Sequence, residues 1–272
     1  MRFAKGHGTE NDFVILPDPD ADLDLTPQRV AALCDRRAGI GADGVLRVVR
    51  TAALRSRGEA RELPELGPDV EWFMDYRNAD GSIAEMCGNG VRVFVRYLAQ
   101  AGLWNGAALP VGTRAGRRST TVESDGTVTV DMGPVSVLGP GQAKLADTEL
   151  SGLRIDVGNP HLACRVPGPV AEVPLDQVPT LNPAEFPDGG NVEVFQQLGP
   201  GHLDMRVHER GAGETRSCGT GIVAAAVAAA PDTEPAEWRV DVPGGTCTVY
   251  RASGHAWLRG PAVLVAEGVV HL

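Results

Sequence analysis

The sequence offers little to a nucleic acid, a membrane or a metal ion. Its formal net charge is −10 and no run of Lys and Arg stands out, which excludes a general attraction to polyanions and argues against nucleic acid as a partner. No apolar run reaches the roughly 18 residues of a membrane span, and the opening MRFAKGHGTENDF lacks the apolar stretch of a signal peptide. The expectation is a soluble cytoplasmic protein with no membrane partner. Cysteine is scarce: Cys34, Cys87, Cys164, Cys218 and Cys247 make five, and no two are closer than 29 positions. That spacing rules out local CxxC metal or redox motifs and favours reduced thiols. His7, His202, His208, His255 and His271 show no ligand spacing, so no metal is expected. Also missing is the regular alternation of strand and helix that builds a doubly wound sheet.

What the chain does have is one short phrase written twice. Residues 85–91 read EMCGNGV and residues 216–222 read RSCGTGI, with Cys87 and Cys218 lying 131 positions apart in 272 residues. The copies fall at equivalent points of two equal halves, as in a duplicated unit, and favour two domains over one. After the first copy, Val91, Phe94, Val95 and Leu98 follow helical spacing and the pattern closes at Gly102. After the second comes IVAAAVAAA, apolar on every side and stopped by Pro231, so that helix must be surrounded by protein. TTVESDGTVTVD predicts a hairpin turning at Asp125-Gly126, and VDVPGGTCTVY another at Gly244-Gly245. A further helix starts with Thr26 as N-cap and Pro27 in its first turn and runs through QRVAALCDRR, with Val30, Leu33 and Cys34 inward. Stretches 55–69 and 133–152, polar and bearing Gly or Pro, read as a surface insertion and as the connection between the halves. The class is α+β, a mixed α/β chain with a helix wrapped by mostly antiparallel strands in each half.

A cysteine just before a helix start sits beside unpaired backbone N–H groups and the positive end of the helix dipole, and both favour thiolate over thiol. The glycines let a ligand come close, and the free amides form a socket for a carboxylate. One such site alone reads as a buried cysteine before a turn; two at matching positions point to function. Two thiols on opposite faces of a carbon beside a carboxylate can remove its hydrogen from one side and return a proton to the other, which inverts the stereocentre. No pyridoxal-type electron sink is evident, so no cofactor is expected. The Gly-rich AGIGADG lacks the Lys of a phosphate loop and reads as a cleft-lining turn.

KGHGTENDF, GIGADG, YRNADGSIAEMCGNG, VGNPH, FPDGGNVEV and HERGAGETRSCGTG occur in that order and together resemble the diaminopimelate epimerase family, over nearly the whole chain. The resemblance implies cofactor-independent interconversion of LL- and meso-diaminopimelate in lysine and peptidoglycan precursor synthesis. It implies two pseudosymmetric domains, residues 1–131 with 262–272 carrying Cys87 and residues 132–261 carrying Cys218, with the small-molecule substrate in the cleft between them. It leaves a homodimer open.

Carried onto this sequence, the resemblance makes Cys87 and Cys218 the base and acid, exchanging roles with the direction of reaction. Gly88, Asn89, Gly219 and Thr220 would hold the α-carboxylate, while Asn78, Asn191 and Arg210 would grip the distal amino-acid end. Asn11 and Asn159 would add polar contacts to the substrate, and His161 and Glu209 match positions that tune the thiols. Without the family, Asn78, Asn159 and Asn191 would read as asparagines serving their own turns. The chain departs from the common pattern at Gly44, where many members carry Gln, and at Glu10, where many carry Gly. Proline racemases and hydroxyproline epimerases are the near rivals, but they usually have His where Asn89 stands. A redox sensor or metal-binding module is the distant one.

Overall fold

The structure, a computed structural model, describes residues 1–58, 63–106 and 108–271. By internal contacts the chain divides into unit 1, Met1–Val130 with Pro261–Leu272, and unit 2, Asp131–Gly260.

Unit 1 contains β1 (Arg2–Gly8), β2 (Asn11–Pro17), α1 (Pro27–Cys34), β3 (Gly44–Arg50), α2 (Thr51–Ser56), β4 (Trp72–Asn78), α3 (Gly88–Gln100), β5 (Ala108–Thr113), β6 (Gly116–Val122), the start of β7 (Val128–Pro134) and, from the chain's end, β18 (Val263–Val269). Its strands pair in the order β18-β1-β2-β3-β4-β5-β6-β7. β2–β3 and β4–β5 are parallel and the other pairs antiparallel. Unit 2 contains β8 (Ser136–Leu145), β9 (Thr148–Asp156), β10 (Pro160–Arg165), β11 (Thr180–Leu181), β12 (Asn191–Gly199), β13 (His202–Glu209), β14 (Gly213–Thr215), α4 (Gly219–Ala229), β15 (Ala236–Val242), β16 (Gly245–Ala252) and β17 (His255–Gly260). Its main order is β8-β9-β10-β12-β13-β15-β16-β17, with β10–β12 and β13–β15 parallel.

Read along each sheet, the pair directions are the same in both units: antiparallel, antiparallel, parallel, antiparallel, parallel, antiparallel, antiparallel. Each unit also places its long helix in the second parallel crossover, α3 between β4 and β5, and α4 between β13 and β15. A parallel pair cannot be joined by a tight turn, so the crossover helix is what the topology requires there. The duplication seen in two cysteine motifs is therefore a duplication of the whole sheet.

Both helices are enclosed by their sheets. Val91, Phe94, Val95 and Leu98 of α3 are fully buried, as their spacing predicts, and so are Ile222 to Val227 of α4. The hairpin at Asp125-Gly126 forms as β6–β7, and the one expected at Gly244-Gly245 forms as β15–β16 with its turn one residue earlier, at Pro243-Gly244, since Gly245 already pairs with Val242. Thr26 caps α1 by accepting a hydrogen bond from Arg29 N, with Pro27 at the first position and Val30, Leu33 and Cys34 buried. That helix is shorter than expected. It stops at Cys34 because Asp35 turns extended and its carboxylate takes the amides of Arg37 and Ala38, in competition with helical bonding.

The stretch 133–152 is not a connection. It holds most of the β8–β9 hairpin, and from Gln142 to Leu145 exposed and buried residues alternate, sending Ala143 and Leu145 into a core with Leu150, Leu162 and Val194. Of the 55–69 stretch, residues 59–62 lie outside the described residues, while Leu66 is buried against Val49, Leu54 and Phe73 and so is core. Among the described residues no helix is long and apolar enough to cross a membrane.

Candidate active site

In unit 1, Cys87 is the N-cap of α3, with extended backbone (φ −142°, ψ 120°), and its sulfur accepts a hydrogen bond from Gly90 N at 3.4 Å. The sulfur thus does what a capping Ser or Asp oxygen does. Asn11, at the start of β2, places its Oδ1 3.5 Å from Cys87 Sγ and 3.3 Å from Asn89 Nδ2. Asn11 is itself held from behind, since its Nδ2 donates to Asp43 Oδ2 at 2.8 Å. Arg36 spans Asp12 and Asp43 at 2.7 Å each, and Lys5 binds Asp12 at 2.5 Å. Burial works against the charge on Asp12, but hydrogen bonds from Arg36 and Lys5 outweigh it and pull that carboxyl down to about 2. The ionic frame makes Asn11 a fixed partner of the thiol. Glu10, in the tight turn between β1 and β2, has φ +61°, a region where glycine is at ease and a side chain is strained.

Asn78 stands apart from this group. Its amide donates to Ser82 Oγ at 3.0 Å, and its backbone closes the turn through Ser82 O and Gly81 N. At Gly44 a Cβ would come 2.5 Å from Arg77 O and 2.8 Å from Tyr76 Cε2, so the missing side chain is matched by close approach of β4.

In unit 2, Cys218 is the N-cap of α4 (φ −122°, ψ 116°) and is buried. Its sulfur lies 3.4 Å from Thr220 Oγ1. Burial pushes this thiol well above its ordinary value, and the charges of Glu209 and Glu193 push it further, while Thr220 and the Gly221 amide act in the opposite direction. This corrects the expectation of a thiolate at both helix starts. At Cys218 desolvation and two carboxylates outweigh the helix amides, so the resting group is the thiol. Glu209, at the end of β13, is likewise raised by burial, against hydrogen bonds from Thr215 and from the Cys218 thiol.

Behind Thr220 runs a chain of contacts. Asn159 Nδ2 donates to Thr220 Oγ1 at 3.4 Å, Asn159 Oδ1 is 3.0 Å from His161 Nε2, and His161 Nδ1 is 2.7 Å from Glu193 Oε1. His161 and Glu193 are both fully buried. Asn191, the register partner of His161 across β10 and β12, accepts the backbone N–H of Arg210 at 2.9 Å, and the Arg210 guanidinium reaches Asp188 O at 3.1 Å. The structure thus brings together Asn11, Cys87 and Asn89 in one unit, and Cys218, Glu209, Thr220, Asn159 and His161 in the other. Asn191 and Arg210 form a separate pair. Gly88 and Gly219 are buried at the first position of their helices.

Two participants escaped the sequence reading, Asp43 behind Asn11 and Glu193 behind His161. Glu193 had a visible signal, a single charged letter between the valines of NVEVF. Among the described residues no group of three or more His, Cys, Asp or Glu is placed to hold a metal ion.

The fold and the paired cysteine caps define a class. The chain shares its fold with a phenazine biosynthesis protein of the PhzF family from Bacillus anthracis, at a TM-score of 0.69 and 18% identity over 100% of this chain and 98% of that one. It shares it also with a probable proline racemase from Agrobacterium radiobacter, at a TM-score of 0.67 and 14% identity over 100% and 93%. Sequence narrows the class. The family model for diaminopimelate epimerase matches residues 3–138 and 153–265. A diaminopimelate epimerase from Thermobifida fusca is 68% identical, covering 100% of this chain and 98% of the relative, and one from Rhodococcus jostii is 54% identical over 99% and 97%. The chain belongs to the diaminopimelate epimerase family.

Proposed function

We propose that this protein is an isomerase that interconverts LL- and meso-diaminopimelate without a cofactor, by proton transfer between two cysteines. The observation that carries the reading is the pair of cysteine-capped helix starts at the same point of two sheets of identical topology, in a chain 68% identical to a diaminopimelate epimerase. Cys87 and Cys218 are the base and acid. Gly88 and Asn89 at one helix start, and Gly219 and Thr220 at the other, offer backbone N–H groups to the α-carboxylate, where preorganised donors stabilise the charge that builds up as the α-hydrogen leaves. Asn11 and Asn159 add polar contacts to the reacting end. Asn78, Asn191 and Arg210 take the distal end, and the outward-facing Arg210 supplies a charge complementary to its carboxylate.

The tuning roles of His161 and Glu209 fit their contacts with the Cys218 group. Burial first, and then the charges of Glu209 and Glu193, keep that thiol protonated, so Cys218 rests as the acid and Cys87 acts first as base; the reverse reaction exchanges them. Residues 1–131 with 262–272 form one epimerase domain and 132–261 the other. The reading extends to a reducing cytoplasmic setting, in keeping with five free thiols, and to a homodimer, which sedimentation across a concentration series would test.

The deciding experiment gives the purified protein LL-diaminopimelate and scores the meso form by chiral chromatography, after dialysis against chelator and carbonyl-reactive reagents. Meso product at an undiminished rate is expected. No product, or activity that returns only with pyridoxal phosphate or zinc, would overturn the assignment.

A further inference from the structure

We infer, resting on the diaminopimelate reading, that the ring of Tyr76 is the apolar wall against which the substrate's methylene spacer lies, between the groups that hold its two ends. Three strand ends meet in this part of unit 1. β2 begins at Asn11, β3 begins at Gly44 and β4 ends at Asn78. Gly44 pairs with Phe13 on one side and with Asn78 on the other, while Leu46 pairs with Tyr76. Side chains alternate along a strand and paired residues share a face, so Asn11, Phe13, Leu46, Tyr76 and Asn78 all lie on one face of the sheet.

That face is the one on which α3 starts. A Cβ at Gly90 would lie 3.3 Å from Leu46 Cδ2, 3.4 Å from Cys87 Cβ and 3.5 Å from Phe13 Cζ. Tyr76 packs edge-on against Phe13, with ring centroids 5.8 Å apart and planes at 81°. Its Cε2 comes 2.8 Å from the position a Gly44 Cβ would take. The ring thus spans from Phe13, beside the Cys87 helix start, across Gly44, the strand partner of Asn78. Phe13 and Leu46 are fully buried, whereas Tyr76 is only half-buried. Tyr76 therefore offers apolar surface in a row whose other half-buried members, Asn11 and Asn78, are polar.

The substrate's chemistry calls for such a surface. Diaminopimelate has two charged amino-acid ends joined by a chain of methylenes. In the reading above Asn11 serves the reacting end and Asn78 the distal one, and neither amide has anything to offer the spacer. Small-molecule sites are lined mainly by apolar and aromatic side chains, with a few polar groups fixing orientation. A Tyr ring supplies a large face held by only two torsions. A firm wall between two fixed grips also sets the distance they span, so it selects spacer length. The spacer does not change during proton transfer, so losing its contact should appear in KM and leave kcat little altered. A ring over a strand glycine can also steady a sheet, and that role alone predicts no change in affinity.

The test measures kcat and KM for LL-diaminopimelate in the parent, Tyr76→Ala and Tyr76→Phe, together with inhibition by diaminosuberate, which is one methylene longer. Tyr76→Ala should raise KM roughly 10-fold, the lower end of what an apolar pocket contact is worth, with kcat changed by no more than a few-fold. Tyr76→Phe keeps the ring and should recover most of the lost affinity. The preference for diaminopimelate over diaminosuberate should narrow in Tyr76→Ala, because nothing then fixes the spacer. An unchanged KM in Tyr76→Ala, a loss confined to kcat, a Phe variant as weak as the Ala variant, or an unchanged preference would each overturn the inference. If Tyr76→Ala fails to fold, Tyr76→Val removes the ring and keeps a strand-forming residue. Calorimetric binding of diaminopimelate to the same samples separates the two claims. A parent that epimerises, with a Tyr76→Ala variant that binds equally well, sinks this inference alone. A parent that binds through the ring without epimerising sinks the epimerase reading, and a parent that does not bind sinks both.

Discussion

Gly90 and Gly221 hold the same place in the two copies of the cysteine motif, yet an added Cβ would meet very different neighbours. At Gly90 it would meet the flexible end of Leu46 at 3.3 Å, a tight contact, and Cys87 and Phe13 at 3.4 and 3.5 Å, while at Gly221 it would press on Glu193 Oε1 at 2.6 Å. The contrast extends to the thiols. Cys87 is half-buried, caps its helix through Gly90 N and meets the neutral amide of Asn11, while Cys218 is buried with Glu209 and Glu193 close enough to raise it. Duplication preserved the backbone device, a cysteine in extended conformation at the N-cap position of each helix, but the Cys87 sulfur accepts a cap hydrogen bond and the Cys218 sulfur does not, and the strand neighbours diverged. That divergence is what a two-base enzyme needs, because identical surroundings would drive both sulfurs to the same proton state.

The largest expected effect comes from erasing either half of the comparison. Cys87→Ala and Cys218→Ala should each lower net epimerisation by at least the ~10²- to 10⁴-fold that one acid–base group supplies, measured as meso product from the LL isomer. A variant within a few-fold of the parent would show that one sulfur suffices.

The glycines come next. Gly221→Ala should destabilise by about 1–3 kcal/mol, the range for forcing bulk into a packed site, because Glu193 is fully buried and bound to His161 and cannot swing clear. Gly90→Ala should cost less than about 1 kcal/mol and stabilise the helix in part. Urea unfolding of the two variants tests the difference, and equal losses would mean the two environments are not distinct.

Stability at the extremes of pH sharpens the contrast further. Burial raises Cys34 to about 11 and Cys164 to about 12 from an ordinary 9.0, so the folded chain holds these protons more tightly than the unfolded one. Their stabilisation is complete below about pH 9 and lost as pH rises through 11 and 12. Asp12 behaves in the opposite sense. Lowered to about 2 from 3.8, it contributes above that ordinary value and loses its contribution as pH falls through 2. The urea midpoint should therefore fall between pH 9 and 11, and Cys164→Val should flatten part of that fall. The smallest effect is expected at Glu10, where Glu10→Gly should be neutral or stabilising by less than about 1 kcal/mol, since glycine accepts the positive φ without strain.

What could be read from the sequence was local. Helical spacing gave α3, the turn dipeptides gave two hairpins, and the repeated motif gave the duplication. The β8–β9 hairpin was misread because Gly139, Pro140 and Gly141 interrupt its first strand, leaving only Gln142 to Leu145 with a polar–apolar alternation in sequence. The parallel pairings β2–β3 and β10–β12 join segments many residues apart and leave no short-range signal. The same limit governed the site. Helix amides beside a cysteine are legible in Cys-Gly-x-Gly, whereas the burial of Cys218 and the approach of Glu193 arise from strands distant in sequence and reverse the local expectation.

The central claim is that one sulfur serves each face of the substrate's α-carbon. Its most direct test follows deuterium uptake at that carbon in deuterium oxide, isomer by isomer, in Cys87→Ala and Cys218→Ala. Each variant should retain slow exchange, with retained configuration, for the isomer that presents its hydrogen to the surviving thiol, and the two variants should prefer opposite isomers. Exchange of the same isomer by both variants, or inversion accompanying exchange in either, would contradict the assignment.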